Sequence, residues 1–479
     1  MVLYALLHRM LTRASTASFL TKSPGPVAFA VSLLWVVHPL ATESVTYISQ
    51  RAESLMGLCF LLCVYCAVRG FSEENSAPWF RWSAIACVFA VLAKEVGVVA
   101  PLVILLFDGL LESGSIGRAF SRHRSLYTGL LFSWVAAGLL QVSSPRGYSV
   151  SFADPVIGPL GYLSRQPSAV LTYVKLAVWP APLVFDYGYP PPVPGLSRLV
   201  GAAAVLGFVF CASVVALRRW PLLGLAGVSF FLILAPTSSV IPIWTEVVAE
   251  HRMYLPLACV LVVVVGTIAA FAHRLVVRRV LATSLVAPVG WILLVAAVVG
   301  LGFLTWQRNE AYRSELALWR DSVMKVPDNP RALNNLGMAL VEAGNPSEAL
   351  TCFHKALSIL PNYFEANGGM AVALERLGQI SRALPYMQRA RELNPESRSA
   401  WEGVARLYFR LERWEQALTE AKAYVERFPN DPSANSLYGS LLTRMGRSVE
   451  ALPYLERARQ LAARIKLPAG TPNPTTEAR

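Results

Sequence analysis

The sequence predicts an all-α protein in two parts: a polytopic α-helical membrane domain, followed by a solenoid of paired helices. Three observations predict it. Four alanines, Ala349, Ala383, Ala417 and Ala451, stand 34 residues apart towards the C-terminus. Long apolar runs, broken by short polar turns, fill the first 305 residues. Charge density also changes between the parts: residues 1–305 carry 20 Lys/Arg and 11 Asp/Glu, and residues 306–479 carry 23 and 19.

In chain order, the apolar runs place spans near 26–40, 54–68, 82–93, 96–111, 125–142, 199–217, 221–235, 255–272 and 284–305. Several are short for a hydrocarbon core of about 30 Å, so their ends are the least defined part of the reading. Positive charge sets the orientation. Arg9, Arg13 and Lys22, then Arg69 and Arg81, then Arg118, Arg122 and Arg124, then Arg218 and Arg219, then Arg274, Arg278 and Arg279 fall at alternate turns, which are therefore cytoplasmic. The segment 166–185, with Lys175, Trp179 and two prolines, breaks the alternation and reads as interfacial or re-entrant. Val2 to Leu11 is apolar but too short to span, so it reads as an interfacial helix or as the tail of a longer one. Cys59, Cys63 and Cys66 share a helical face inside an apolar stretch, where they serve as small packing residues. No secretory cleavage signal precedes the first apolar segment.

Residues 306–329 form a connecting helix carrying Leu316 and Trp319, and four repeats follow over 330–463. Pro361, Pro395 and Pro429 keep the 34-residue interval, as do Phe353 and Met387. The first unit reads Leu333, Leu336, Gly337, Leu340, Ala349, Phe353, Ala356, Pro361, which is the tetratricopeptide-repeat pattern. Small residues let two helices approach closely, and the prolines stop the second helix of each unit. An asparagine ladder for capturing peptide backbone is missing, since the equivalent positions read Asn335, Gly369, Gly403 and Leu437. Residues 464–479 read as a disordered tail.

The non-cytoplasmic turns hold polar residues that are expensive near a membrane. His38, Glu43, Arg51 and Glu53 follow one span, with Glu43, Gln50 and Arg51 at a spacing that suits one water-filled helical face. Lys94 and Glu95 form an ionic pair between two spans, and Glu250, His251, Arg252 and Tyr254 open another helix. Arg51, Lys94 and Arg252 together suit a phosphate or pyrophosphate, arginine through paired donors and lysine as a point charge.

The segments HPLATESVTYISQRAESL, LAKEVGVVAPLVILLFDGLL, WPAPLVFDYGYP and AEHRMYLPLA, followed by the repeats, carry a specific resemblance. In their order they resemble the transmembrane-and-tetratricopeptide-repeat family of the C-type glycosyltransferase superfamily, whose best-understood members are protein O-mannosyltransferases. The resemblance implies transfer of a sugar, such as mannose, from a polyprenyl-phosphate carrier to a protein or glycan acceptor on the outer or luminal side. It makes Arg252, Lys94 and Arg51 contacts of the carrier phosphate. His38, Glu43, Glu53, Glu95, Glu250, His251 and Tyr254 would line the cavity. Such enzymes place an acidic residue or pair in a first outer loop, as base or as ligand to a divalent metal. Here VLYALLHRMLTR resembles the second half of the family's second span, so the chain is expected to lack that loop through N-terminal truncation. Glu43 and Asp154 are the remaining carboxylates on the expected side, and the resemblance assigns neither as the base.

The basic excess sits mainly in the membrane half, with no polybasic strip interleaved with aromatics, and this excludes a nucleic-acid partner. The expected partners are the bilayer, a lipid-linked sugar, and a protein held by the repeats. A competing class is a non-catalytic membrane-anchored repeat scaffold. A transporter would show inverted hydropathy repeats, which the sequence lacks. The Ala/Leu/Arg/Val-rich composition favours a bacterial inner membrane with periplasmic repeats, with the endoplasmic reticulum membrane as the eukaryotic counterpart.

Overall fold

A computed structural model describes residues 1–13, 23–143, 158–188, 195–240 and 246–466. Every regular element among them is helical. The chain divides into two compact units, Met1–Asp321 and Ser322–Arg479. The boundary expected at residue 305 falls inside a helix instead. The last apolar helix continues to Ala311, and its Arg308 reaches Asp321 at 3.1 Å.

In the first unit, α1 (Val2–Arg13) packs Leu3 and Leu6 into the apolar core beside Met56, Phe60 and Val64. It is thus a bundle helix and not a surface one. After α2 (Pro24–Val37) come the short α3 (Thr42–Thr46), α4 (Arg51–Gly70), α5 (Ala77–Ala93) and α6 (Ala100–Phe107). Then follow α7 (Ile116–Arg122), α8 (Arg124–Ser143), α9 (Gly158–Val178), α10 (Leu196–Arg219), α11 (Pro221–Ala235), α12 (Pro256–Val277) and α13 (Thr283–Ala311).

Five stretches among the described residues are single helices long and apolar enough to cross a membrane: Ile48–Gly70, Leu196–Arg219, Pro221–Ser238, Pro256–Val277 and Thr283–Ala311. Two further pairs qualify only as bent spans, Pro24–Val37 with Pro39–Thr46 at 55°, and Glu95–Glu112 with Ile116–Arg122 at 100°. The sequence segment 166–185 is mostly the continuous helix α9, which carries Arg165, Gln166 and Lys175 and is not among these spans. Cys63 is fully buried, with its sulfur 3.5 Å from the Ser83 hydroxyl, in the close α4–α5 contact.

The α4 axis separates two polar ends by about 30 Å, given 1.5 Å of rise per residue. At its C-terminal end Arg13 pairs with Glu112 at 2.5 Å and bonds Ser72, tying α1 to the turns after α4 and α6. Nearby, buried Asp108 accepts hydrogen bonds of 2.7 Å from the Ser113 and Tyr127 hydroxyls and lies 2.7 Å from His123. The other end of α4 carries the candidate site.

Leu316 and Trp319 lie on α14 (Glu315–Lys325), as expected of the connecting helix. The second unit is four helix pairs: α15 (Pro330–Glu342) with α16 (Pro346–Ile359), and α17 (Phe364–Arg376) with α18 (Ile380–Leu393). The other two pair α19 (Arg398–Arg410) with α20 (Trp414–Arg427), and α21 (Pro432–Arg444) with α22 (Ser448–Lys466). All four period-34 alanines are at most 1% exposed. The fully buried Phe353 ring fills the gap between units, and a Cβ on Gly337 or Gly369 would stand 2.7 or 2.3 Å from it. One position of the first helix also ties each unit to the turn before it. The Asn367 amide, the Trp401 indole and the Asn435 amide donate to the carbonyls of Pro361, Pro395 and Pro429 at 3.2, 2.9 and 3.0 Å. The expected tail lies largely beyond the described residues, which end at 466.

The turn between paired helices needs left-handed backbone. Gly344, Gly378 and Gly446 supply it with φ of 83°, 75° and 78°, but the third unit has Glu412 there with φ of 59°. A side chain in that region costs roughly 1 kcal/mol. Glu412→Gly should therefore raise the stability of the repeat unit by about 1 kcal/mol, seen as a higher thermal midpoint by circular dichroism. A lower midpoint would contradict this account.

Candidate functional site

His38 follows α2 in extended backbone, where Pro39 starts a tight turn. Its Nδ1 accepts the Leu40 N–H at 3.2 Å and its Nε2 donates to the Ala177 carbonyl, also at 3.2 Å. Both ring nitrogens are occupied, so His38 caps the turn and fastens it to the end of α9. Glu43 follows on α3 and is buried. The chain then breaks at Tyr47 before α4 begins at Arg51. That break overturns the expected shared face of Glu43, Gln50 and Arg51: Glu43 points inwards and Arg51 is exposed. Glu53, in the first turn of α4, is buried and ion-paired with Lys94. The expected Lys94–Glu95 pair is corrected accordingly, because adjacent residues project in different directions and Lys94, just before the turn that opens at Glu95, sends its side chain to Glu53.

The turn Glu250–Met253 brings three ionisable side chains into the same end of the bundle. His251 Nδ1 lies 2.7 Å from Glu43 Oε1, and its Nε2 lies 3.6 Å from the half-exposed Glu246. Glu43 Oε2 is buried without a hydrogen-bond partner among the described residues. Glu250 accepts the Val184 N–H at 2.6 Å and the Tyr187 hydroxyl at 2.8 Å, and faces Arg308 at 3.5 Å. Tyr254 packs its ring on Trp35, 4.9 Å between centroids, and against Gly57.

Arg252 differs from every other cation here. It is 6% exposed and donates to the Tyr162 hydroxyl at 3.2 Å, to the Val247 carbonyl at 3.4 Å and to the Glu246 carbonyl. No carboxylate pairs with it among the described residues. Its charge is solvated by neutral oxygens, and nearby tyrosines and Glu246 hold its guanidinium further towards the charged form, against the effect of burial. Lys94 is neutralised by Glu53, and Arg308 by Glu250 and Asp321. Of the three cations expected to hold a phosphate, Arg252 alone is both buried and without an acid.

The structure thus brings together Glu43, His251, Glu250 and Arg252 with Glu53 and Lys94. Arg51 stays outside, Glu95 is half-buried in its turn, and Asp154 lies outside the described residues. Sequence reasoning missed Arg308, Tyr162, Tyr187 and Asp321. Arg308 had one signal, a lone cation in the last turns of a 29-residue apolar helix. Tyr187 lies in the WPAPLVFDYGYP segment, but nothing in its spacing pairs it with Glu250. A divalent metal finds no group of three His, Cys, Asp or Glu ligands among the described residues. Between α1, α2, α4, α11 and α12 lies an apolar cavity of about 110 Å³, lined by Leu6, Val31, Phe60, Leu225 and Leu255 among others.

Burial lowers His251 to about 4, helped by Lys94 and Arg252 and opposed by Glu246 and Glu53. At neutral pH the imidazole is uncharged, and its contact with Glu43 is a hydrogen bond. The unfolded chain protonates this histidine near 6.5, so between about 4 and 6.5 it binds more protons than the folded chain. The stability His251 contributes is therefore present above pH 6.5 and lost as pH falls towards 4, by at most about 3 kcal/mol. Glu250, raised by burial to about 7 against the pull of Arg308, has the opposite sign and loses its contribution as pH rises from about 4.5 to 7. Comparison with His251→Gln isolates the histidine: between pH 6.5 and 4 the parent's thermal midpoint should fall more steeply than the variant's. Parallel slopes would remove His251 as the responsible group.

The tetratricopeptide-repeat family matches residues 330–363, 369–432 and 405–464. Protein O-mannosyl-transferase F38B6.6 of Caenorhabditis elegans is 25% identical over 352 residues, which is 70% of this chain and 46% of that protein. Protein O-mannosyl-transferase TMTC3 of Homo sapiens is 24% identical over 368 residues, 69% of this chain and 39% of that protein. The chain therefore spans less than half the length of these relatives. Among solved structures, MamA 41-end from Desulfovibrio magneticus RS-1 is 21% identical with a TM-score of 0.30, over 32% of this chain and 86% of that one. Over most of its length, then, the chain is similar to the transmembrane-and-tetratricopeptide-repeat proteins named protein O-mannosyl-transferases, and its C-terminal unit is a tetratricopeptide-repeat array.

Proposed function

We propose that this protein is a membrane glycosyltransferase. It moves a sugar, mannose by analogy with its relatives' names, from a polyprenyl-phosphate carrier to the hydroxyl of a protein or glycan acceptor. The observation that carries the reading is Arg252, a buried guanidinium held by neutral oxygens and open in charge to an anion. Its donors suit a phosphate oxygen. In this reading the isoprenoid tail lies between the apolar helices, and the carrier phosphate displaces one of the oxygens now on Arg252. The guanidinium then stabilises the negative charge that develops as phosphate leaves the anomeric carbon. Glu43, with one oxygen unpartnered among the described residues, stands at the same end of the bundle, and His251 holds its other oxygen. The positive turns near Arg13, Arg118, Arg122 and Arg124 face the cytoplasm, so the site faces the periplasm or, in a eukaryote, the lumen. The repeats recruit the acceptor or a partner protein.

A membrane-anchored repeat scaffold without catalysis is the second reading. It is favoured by Lys94, whose charge Glu53 already cancels, and by the full burial of Glu43. Transfer from a polyprenyl-phosphate sugar by the chain in proteoliposomes separates the two. Arg252→Ala should lower transfer by about 10²- to 10³-fold, and Arg252→Lys, which keeps the charge, should lose less. Size-exclusion behaviour and repeat helicity should be preserved in both variants. Unchanged turnover in a folded Arg252→Ala protein would take Arg252 out of the site.

A further inference from the structure

A groove of about 590 Å³ runs between α6, α7 and α8, apart from the candidate site. That size falls within the roughly 300–1,000 Å³ that small ligands use. Its walls are apolar: Pro101 and Leu105 come from α6, Phe120 from α7, and Leu131 and Trp134 from α8. The one charged group among the described residues that line it is Arg124, at the start of α8. Trp134, at the other end, lies ten residues further along the same helix. At 1.5 Å of rise per residue the groove is about 15 Å deep. That is half of a hydrocarbon core of about 30 Å, or the depth of one leaflet.

The groove is fixed from behind. Tyr127 lines it and donates its hydroxyl to the buried Asp108 at 2.7 Å, and Phe120 packs on the Tyr127 ring at 4.7 Å between centroids. The Trp134 indole donates to the Val98 carbonyl at 2.9 Å. Asp108 also holds Ser113, before α7, and His123, at the junction of α7 and α8. The helix α7 turns by 100° from the stretch Glu95–Glu112, so it lies across the end of the bundle, with Ile116 and Phe120 exposed. A short basic helix in that attitude, with its apolar side chains outwards, lies at the headgroup level of a bilayer.

Charge at this level is one-sided. Residues 113–143 include Arg118, Arg122 and Arg124 and no carboxylate. The acids of the neighbouring turns are already engaged: Glu112 pairs with Arg13, Glu73 with Arg69, and Asp108 with His123. Arg118, Arg122 and Arg124 are exposed, and none has an ion pair among the described residues. An apolar groove one leaflet deep, with a free cation at its headgroup end, matches an amphiphile with an anionic head and a tail of that length. We propose that this groove binds one molecule of an anionic phospholipid from the adjoining leaflet, its phosphate on Arg124 and one acyl chain along Leu105, Leu131 and Trp134. The site is separate from Arg252, and the inference is independent of sugar transfer.

The test uses the full chain in detergent micelles, titrated with phosphatidylglycerol or phosphatidylcholine and read by native mass spectrometry. One phosphatidylglycerol should bind, about ten-fold more tightly than phosphatidylcholine. Arg124→Ala should weaken it by about five-fold, the effect of losing one cation beside an anionic headgroup. Gly117→Leu should expel the lipid by filling the groove, because Gly117 lines it and a Cβ there meets nothing within 4 Å. Arg278→Ala removes an exposed arginine from a different turn and should leave binding unchanged. All three variants should keep the parent's helicity. Equal binding of the two lipids, equal losses from Arg124→Ala and Arg278→Ala, or a lipid retained by Gly117→Leu would overturn the proposal. Tighter binding of a polyprenyl phosphate than of phosphatidylglycerol would overturn it too. None of these outcomes bears on transfer at Arg252, so the two readings fail separately.

Discussion

Arg308 closes the end of the first unit that carries the candidate site. From the last turns of α13 it reaches the Leu183 carbonyl, Glu250 and Asp321, which belong to three separate stretches of chain. Glu250 in turn accepts from Val184 and Tyr187. A charge buried this deeply is tolerated only when it is paired and hydrogen-bonded, and removing one partner strands the other. The turn Glu250–Met253 is held by this network, and that turn sets where His251 and Arg252 point. The geometry of the candidate site is thus a consequence of how one cation is satisfied.

Against that background the separate state of Arg252 carries weight. Lys94 and Arg308 are neutralised by carboxylates, and among the described residues Arg252 has only a phenol and two carbonyls. Neutral dipoles can solvate a guanidinium without cancelling its net charge, which leaves the field available to an incoming anion. Lys94 acts on His251, but its ion-pair partner Glu53 acts there with the opposite sign. The division between structural and available positive charge follows from pairing, and it cannot be read from residue type.

The repeat unit rests on a different principle. Its stability comes from close approach of helices at Ala349, Ala383, Ala417 and Ala451, with Phe353 filling the space left by Gly337 and Gly369. Each of these contacts is local or one unit away, so the pattern repeats and side chains outside it are free to vary. That freedom is where Glu412 stands, as a local strain with φ of 59°.

The all-α class, five of the nine expected spans as single helices, and the four repeats are legible in the chain by itself. They depend on periodicity and composition, which are properties of neighbouring residues. Arg252, Glu43 and His251 were each legible singly, because ionisable groups beside apolar runs are costly and so are informative, but the groupings expected for them were Arg252 with Arg51 and Lys94, and Glu43 with Gln50 and Arg51. What the chain alone could not decide was pairing. Lys94 was matched with Glu95, its neighbour in sequence, and the folded chain pairs it with Glu53 across α4 and α5. Arg308, Tyr162 and Tyr187 gave almost no signal, since their partners lie tens to hundreds of residues away. A local pattern specifies an element, but a buried charge is satisfied through space, and only the tertiary structure settles which residues meet there.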